Sequence, residues 1–208
     1  REEAREWFRR QEAGDPEALD LWRRIRETSL RYYRSVYERI GVAFDSYDGE
    51  AFYNDKMEAV LREAVDKGVA TVSEGALIID LTSEGIRTPA LLRKSDGATL
   101  YMTRDLAAAL YRKKTYDFDR MLYVVGAPQS LHLSQLFACL RRLGYGWADT
   151  LHHVAFGYVL GLSTRKGNTI ALEELFDEAR DRILRYMREH PENRPELEDE
   201  RAVAEELG

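Results

Sequence analysis

From Pro89 onward, apolar runs too short to be helices alternate with amphipathic segments long enough to be, and this alternation constrains the fold more than any other feature. The run ALLRK passes through Ser95-Asp96-Gly97, a turn signal, into ATLYMT; LAAALYRKK then reads as helix. MLYVVG is a short, fully apolar strand, and SLHLSQLFACLRRLG is a helix ended by Gly144. HHVAFGYVL reads as another strand, followed by a Gly-rich polar loop at 161–168 and a last amphipathic helix over about 172–189, before Pro191. Strands spaced by helices of this length predict βαβ units and a parallel sheet, with a ligand site at the carboxyl ends of its strands.

The first 88 residues have a different texture. Asp15 as N-cap and Pro16 at the first helical position open a helix that carries Leu19, Trp22, Ile25, Tyr33, Val36 and Ile40 on one stripe, with Gly41 after its end. A second helix over about 55–67 carries Met57, Val60, Leu61, Ala64 and Val65 and stops at Gly68. VATVS and ALIIDL, separated by Glu74-Gly75, predict a tight hairpin.

Composition excludes some classes. No apolar stretch approaches the roughly 20 residues that cross a bilayer, so no membrane partner is expected. No signal peptide is read in REEAREWFRRQEAGD, and the single Cys139 suits a reducing, cytoplasmic setting and a place in the core. The net charge is −6, yet residues 173–208 hold 13 acidic and 6 basic side chains, which leaves residues 1–172 nearly neutral. A local anion site is therefore compatible with the acidic total.

Three clusters carry chemistry. In Tyr101-Met-Thr-Arg-Asp105, Thr103 is the expected N-cap, with Asp105 in the first helical turn. There the carboxylate suits the helix dipole. A carboxylate there can also pair bidentately with a guanidinium, which Lys could not reproduce, with Tyr101 either walling that pocket or facing the core. In Val125-Gly126-Ala-Pro-Gln129-Ser-Leu-His132, the apolar strand ends at Gly126, where a ligand can approach the backbone. Gln129 and His132, three apart, share one side of a helix start. Gly161-Leu-Ser-Thr-Arg-Lys-Gly-Asn168 is a solvated turn or a loop able to wrap a polyphosphate. Adjacent His152 and His153 point to opposite strand faces and cannot readily share a metal, and no metal ligand set is assigned.

In this order, SDGATLYMTRDLAAALYR, YVVGAPQSLHLSQLF and HVAFGYVLGLSTRKGNTIALEELFDEA resemble the catalytic domain of arginyl-tRNA synthetase, a class I aminoacyl-tRNA synthetase; residues 12–50 resemble its connective region. The resemblance implies a Rossmann-like α/β fold. It divides the chain into a connective insertion of helices and hairpin (1–88), the second half of the nucleotide fold (89–172), and a helix with an acidic tail (173–208). It implies that Tyr101, Asp105 and Gln129 hold L-arginine, that Gly126 and His132 lie on the ATP or adenylate side, and that Leu162, Ser163, Thr164, Arg165, Lys166 and Gly167 form a degenerate KMSKS-like loop that stabilises the triphosphate.

Leu162 replaces the usual Met and Leu133 the usual Phe, while Thr164 stands where other class I enzymes carry a catalytic Lys. Charge must then come from Arg165, Lys166 or a Lys elsewhere. The implied reaction is ATP-dependent formation of arginyl-adenylate, with Mg2+ accompanying ATP and no prosthetic group, followed by transfer to tRNA(Arg), by a monomer. No HIGH-type motif and no anticodon-binding domain are present, so the chain reads as an excerpt expected to be inactive alone. The alternative is a non-catalytic, synthetase-derived module that binds arginine or nucleotide.

Overall fold

A computed structural model of the chain describes residues 2–12, 14–157, 170–190 and 199–208. Two compact units emerge, one built from residues 1–45 and 161–208, the other from residues 46–160.

In the first unit, α1 (Glu2–Glu12) packs on α2 (Pro16–Arg39). The expected cap is present: the Asp15 side chain accepts a hydrogen bond from the Ala18 amide at 2.9 Å and another from Arg10, and these two bonds hold its carboxyl below the usual range. Only Ala18 and Val36 of α2 are buried, while Ile25, Tyr33 and Ile40 of the predicted stripe remain about half exposed. Helices α6 (Leu172–Glu189) and α7 (Glu200–Leu207) complete the unit. Arg39 pairs there with Asp177 and with Glu205. The acidic tail lies mostly outside the described residues, but Asp199 caps α7 by accepting from the Arg201 and Ala202 amides. The apolar content of this short helix, Ala202, Val203, Ala204 and Leu207, is too sparse to stand out against its charge.

The second unit holds the core. A 3-10 segment (Glu50–Lys56) leads into α3 (Met57–Asp66), and β1 (Ala70–Ser73), β2 (Ala76–Ile79) and β3 (Ala90–Arg93) form an antiparallel sheet in that order. The β1–β2 turn is the predicted Glu74-Gly75, with φ of 50° and 78°, the left-handed pair that a two-residue hairpin needs. Helix α4 (Tyr101–Tyr116) packs against β3, α3 and α5 (Ser130–Arg142). Ile79, Leu81, Leu92, Leu106, Leu136, Cys139 and Leu140 are fully buried among these elements. Residues on both sides of the boundary expected at 88 and 89 thus share one core.

Strands β4 (Met121–Gly126) and β5 (Leu151–Phe156) pair in parallel, joined through α5, which is the predicted βαβ unit. One face, through Tyr123 and Val125, packs on the core. On the other, Leu122, Val124, Val154 and Phe156 are 44–64% exposed. His152 and His153 diverge as expected: His152 is exposed, and His153 Nε2 bonds the Val125 carbonyl at 2.8 Å.

The segment ATLYMT departs from expectation. Thr99 makes a single bridge to Arg93, and the helix begins at Tyr101, with extended Leu100 as N-cap. Thr103 is therefore not the cap, and Asp105 lies beyond the first turn. The cause is tertiary: the Thr103 hydroxyl, wholly buried, donates at 2.6 Å to the Leu92 carbonyl of β3, a bond that needs Thr103 already inside the helix.

Candidate functional site

Four of the five residues of Tyr101-Met-Thr-Arg-Asp105 can be followed through their contacts, and they divide into two pairs. Thr103 and Arg104 are anchors. Thr103 ties the first turn of α4 to β3, and Arg104 reaches the 3-10 segment, donating to Asn54 at 3.1 Å and Glu50 at 2.8 Å. Tyr101 and Asp105, one helical turn apart, share the remaining face. Tyr101 is 62% exposed, and the Asp105 side chain is 40% exposed.

Facing them is the start of α5. Gly126 ends β4, the short turn Ala127–Gln129 follows, and His132 sits in the first turn of the helix. His132 Nε2 lies 2.6 Å from Asp105 Oδ2. A carboxylate can only accept, so this ring nitrogen carries the proton and donates. The Tyr101 ring meets the imidazole edge-on, 4.7 Å between centroids at 61°. Three residues named from sequence, Tyr101, Asp105 and His132, are thus brought together through His132, which touches both of the others. Gln129 is exposed at the end of its turn and Gly126 is buried beneath it, both preceding His132 on the same strand-to-helix connection. Leu162, Ser163, Thr164, Arg165, Lys166 and Gly167 lie outside the described residues.

Sequence reasoning missed Tyr123. It stands on the inner face of β4 against Phe137, with ring centroids 5.5 Å apart. Burial pushes its hydroxyl up to about 12, with Arg112 opposing the shift and the Asp105 carboxylate adding to it. Among the described residues, His132 Nδ1 is a buried side-chain polar atom without a hydrogen-bond partner, and the Tyr123 hydroxyl has the Arg112 guanidinium as its polar neighbour. His132 is bonded to Asp105, and Tyr123 feels its charge. Buried polar atoms are ordinarily satisfied, so a buried nitrogen without a partner beside a carboxylate makes this cluster the candidate site. The only sequence signal for Tyr123 is its place in the inward alternation of MLYVVG.

Chemically, the arrangement offers a carboxylate with one oxygen committed to an imidazole and a partly open side chain, an aromatic ring beside it, and the backbone of a strand-to-helix turn. That suits a planar cation next to a group that can approach main chain.

The family described as "tRNA synthetases class I (R), catalytic domain" matches residues 1–208. The chain is 53% identical to an arginine–tRNA ligase of Streptococcus equi subsp. equi over 211 aligned residues, covering 100% of this chain and 37% of that protein. It is 50% identical to the corresponding ligase of Ligilactobacillus salivarius over the same shares. The crystal structure of arginyl-tRNA synthetase from Plasmodium falciparum superposes with a TM-score of 0.81 at 25% identity, over 94% of this chain and 33% of that one. The Thermus thermophilus enzyme shares the fold, with a TM-score of 0.69 at 17% identity over 94% of this chain and 41% of that one. The chain therefore spans about 37% of the length of the curated relatives it matches. With this coverage, and with a mixed α/β fold matching theirs, the chain belongs to the class I tRNA synthetase family, in the arginine-type catalytic domain.

Proposed function

We propose that this chain supplies the arginine pocket and part of the nucleotide site of an arginine–tRNA ligase. In the reaction, the α-carboxylate of L-arginine attacks the α-phosphorus of ATP and displaces pyrophosphate. A ribose hydroxyl at the 3′ end of tRNA(Arg) then takes the arginyl group and releases AMP. Asp105 is the residue for the guanidinium, since a carboxylate accepts two parallel N–H bonds, and Tyr101 and Gln129 serve the rest of the arginine side chain.

Gly126 and the turn after it place main-chain N–H groups at the carboxyl end of β4, where a Rossmann-like sheet takes its nucleotide, and His132 stands between that turn and Asp105. The segment Leu162 to Gly167 serves the triphosphate, with Arg165 and Lys166 as its charges. Mg2+ enters with the ATP phosphates, to which a hard cation binds. The open face of β4 and β5 agrees with a role as part of a longer catalytic domain, since parallel strands are normally covered on both sides.

The observation that carries this reading is the convergence of Tyr101, Asp105 and His132 from two helix starts. The test is amino-acid-dependent exchange of pyrophosphate into ATP by the full-length protein, with tRNA present. Arginine should support exchange, and citrulline, the same shape without charge, should not; equal exchange with both would refute the guanidinium assignment. The 208-residue chain alone is expected to form no adenylate, and arginine-dependent adenylate from it would overturn that part.

A further inference from the structure

The resemblance puts His132 on the nucleotide side of the site, and its contacts in the structure run to Asp105 and Tyr101. Its Nε2 is committed to Asp105 Oδ2 at 2.6 Å, its ring is fixed edge-on by Tyr101, and its side chain is only 13% exposed. Its second nitrogen, Nδ1, is buried without a partner among the described residues. A histidine present for packing alone would not leave a buried nitrogen unsatisfied, and an apolar ring would fill the space without that cost. The one polar contact it does make is with the carboxylate proposed to receive the guanidinium.

From this geometry we infer that His132 is a positioning residue for arginine recognition. Donating to Oδ2, it fixes the rotation of the Asp105 carboxyl plane, so that the remaining acceptor directions of the carboxylate face outward as a preset fork. Without the imidazole, that plane turns freely about the Cβ–Cγ bond, and arginine must pay the ordering cost when it binds. Tyr101 has two tasks in this arrangement: it walls the pocket and holds the imidazole in register. The bond joins α5 to α4, so the start of the nucleotide-side helix sets the geometry of the amino-acid side. This inference rests on the assignment of Asp105 to arginine and adds to it a specificity role for a residue on the facing helix.

The test uses the full-length protein with His132→Leu, His132→Asn and His132→Gln, read as separate KM values for arginine and ATP together with kcat and melting temperature. The Gln amide reaches about where Nε2 stands, whereas the Asn amide reaches only about where Nδ1 does. Loss of a residue that orients a binding group commonly costs 10-fold or more, so Leu and Asn should raise the arginine KM by about 10-fold, and Gln should recover it to within about 3-fold. The KM for ATP should stay within about 2-fold throughout, because only the arginine side loses its orientation.

A rise in the ATP KM with an unchanged arginine KM would overturn the inference and place His132 on the nucleotide. Equal losses for Leu, Asn and Gln alongside a lowered melting temperature would also overturn it, as a packing role. Asp105→Asn, measured in parallel, separates the two levels. If it raises the arginine KM but the His132 variants do not, only the positioning role fails; if it leaves the arginine KM unchanged, the arginine assignment fails and the positioning role with it.

Discussion

Replacing Thr103 by Val removes one hydroxyl and almost nothing else. The two side chains have nearly the same shape, Thr103 is wholly buried, and its hydroxyl donates at 2.6 Å to the Leu92 carbonyl of β3. Valine would leave that carbonyl facing a methyl group in a dry core. An unsatisfied buried acceptor costs about 1–3 kcal/mol, against roughly 1 kcal/mol for an average hydrogen bond, and the full burial here favours the upper half of that range. Thr103→Ser is the complementary control, keeping the hydroxyl and deleting a buried methyl at about 1 kcal/mol. Urea unfolding of both variants and the parent should therefore rank parent, Ser and Val in descending stability. Because Thr103 fixes the first turn of α4, the Val variant should also bind arginine more weakly. A Val variant within about 0.5 kcal/mol of the parent, the usual scatter of neutral substitutions, would refute the claim that this bond sets the start of α4.

Glu74 adopts φ of 50° in the β1–β2 turn, so Glu74→Asn should stabilise the chain by up to about 1 kcal/mol in the same unfolding assay, since Asn tolerates this conformation better. Gly75→Ala should destabilise it, because φ is 78° and the added Cβ would lie 3.3 Å from Ser95 Cβ. Hydrogen bonds from Arg39 hold the Asp177 and Glu205 carboxyls below their usual range, so both favour the folded state above about pH 4 and lose that contribution as pH falls through their lowered values. Thermal melts followed from neutral pH into acid should accordingly flatten in Arg39→Met. Burial pushes the Cys139 thiol up to about 12, and a thiol-reactive chromophore should label the folded chain only after denaturant is added; prompt labelling of the native protein would contradict its place in the core.

Much of the scaffold is written in local signals. Asp15-Pro16 starts α2, Glu74-Gly75 turns the hairpin, and Gly144, at φ of 88°, ends α5 with its amide on Arg141 and that of Tyr145 on Leu140. These read correctly because each depends on a few adjacent residues. The start of α4 did not, because Thr-Leu-Tyr-Met-Thr favours extended chain locally while a bond to Leu92, eleven residues earlier, decides the outcome. The candidate site is legible in the sequence as residues but not as geometry. Tyr101 and Asp105 share a face by helical spacing, yet nothing in the spacing of Asp105 and His132, 27 residues apart, announces that they touch. Tyr123 was invisible because an inward aromatic on a strand looks the same whether or not its hydroxyl has a partner.

The central claim is that Asp105 reads the positive charge of arginine. The most direct measurement is calorimetric binding of arginine and citrulline to the full-length protein and to its Asp105→Asn variant. A charge-assisted pair contributes about 1.5–3 kcal/mol, so the variant should bind arginine roughly 10- to 100-fold more weakly, and the preference for arginine over citrulline should largely vanish. If Asp105→Asn keeps both the affinity for arginine and the discrimination against citrulline, the guanidinium is read elsewhere and the account is wrong.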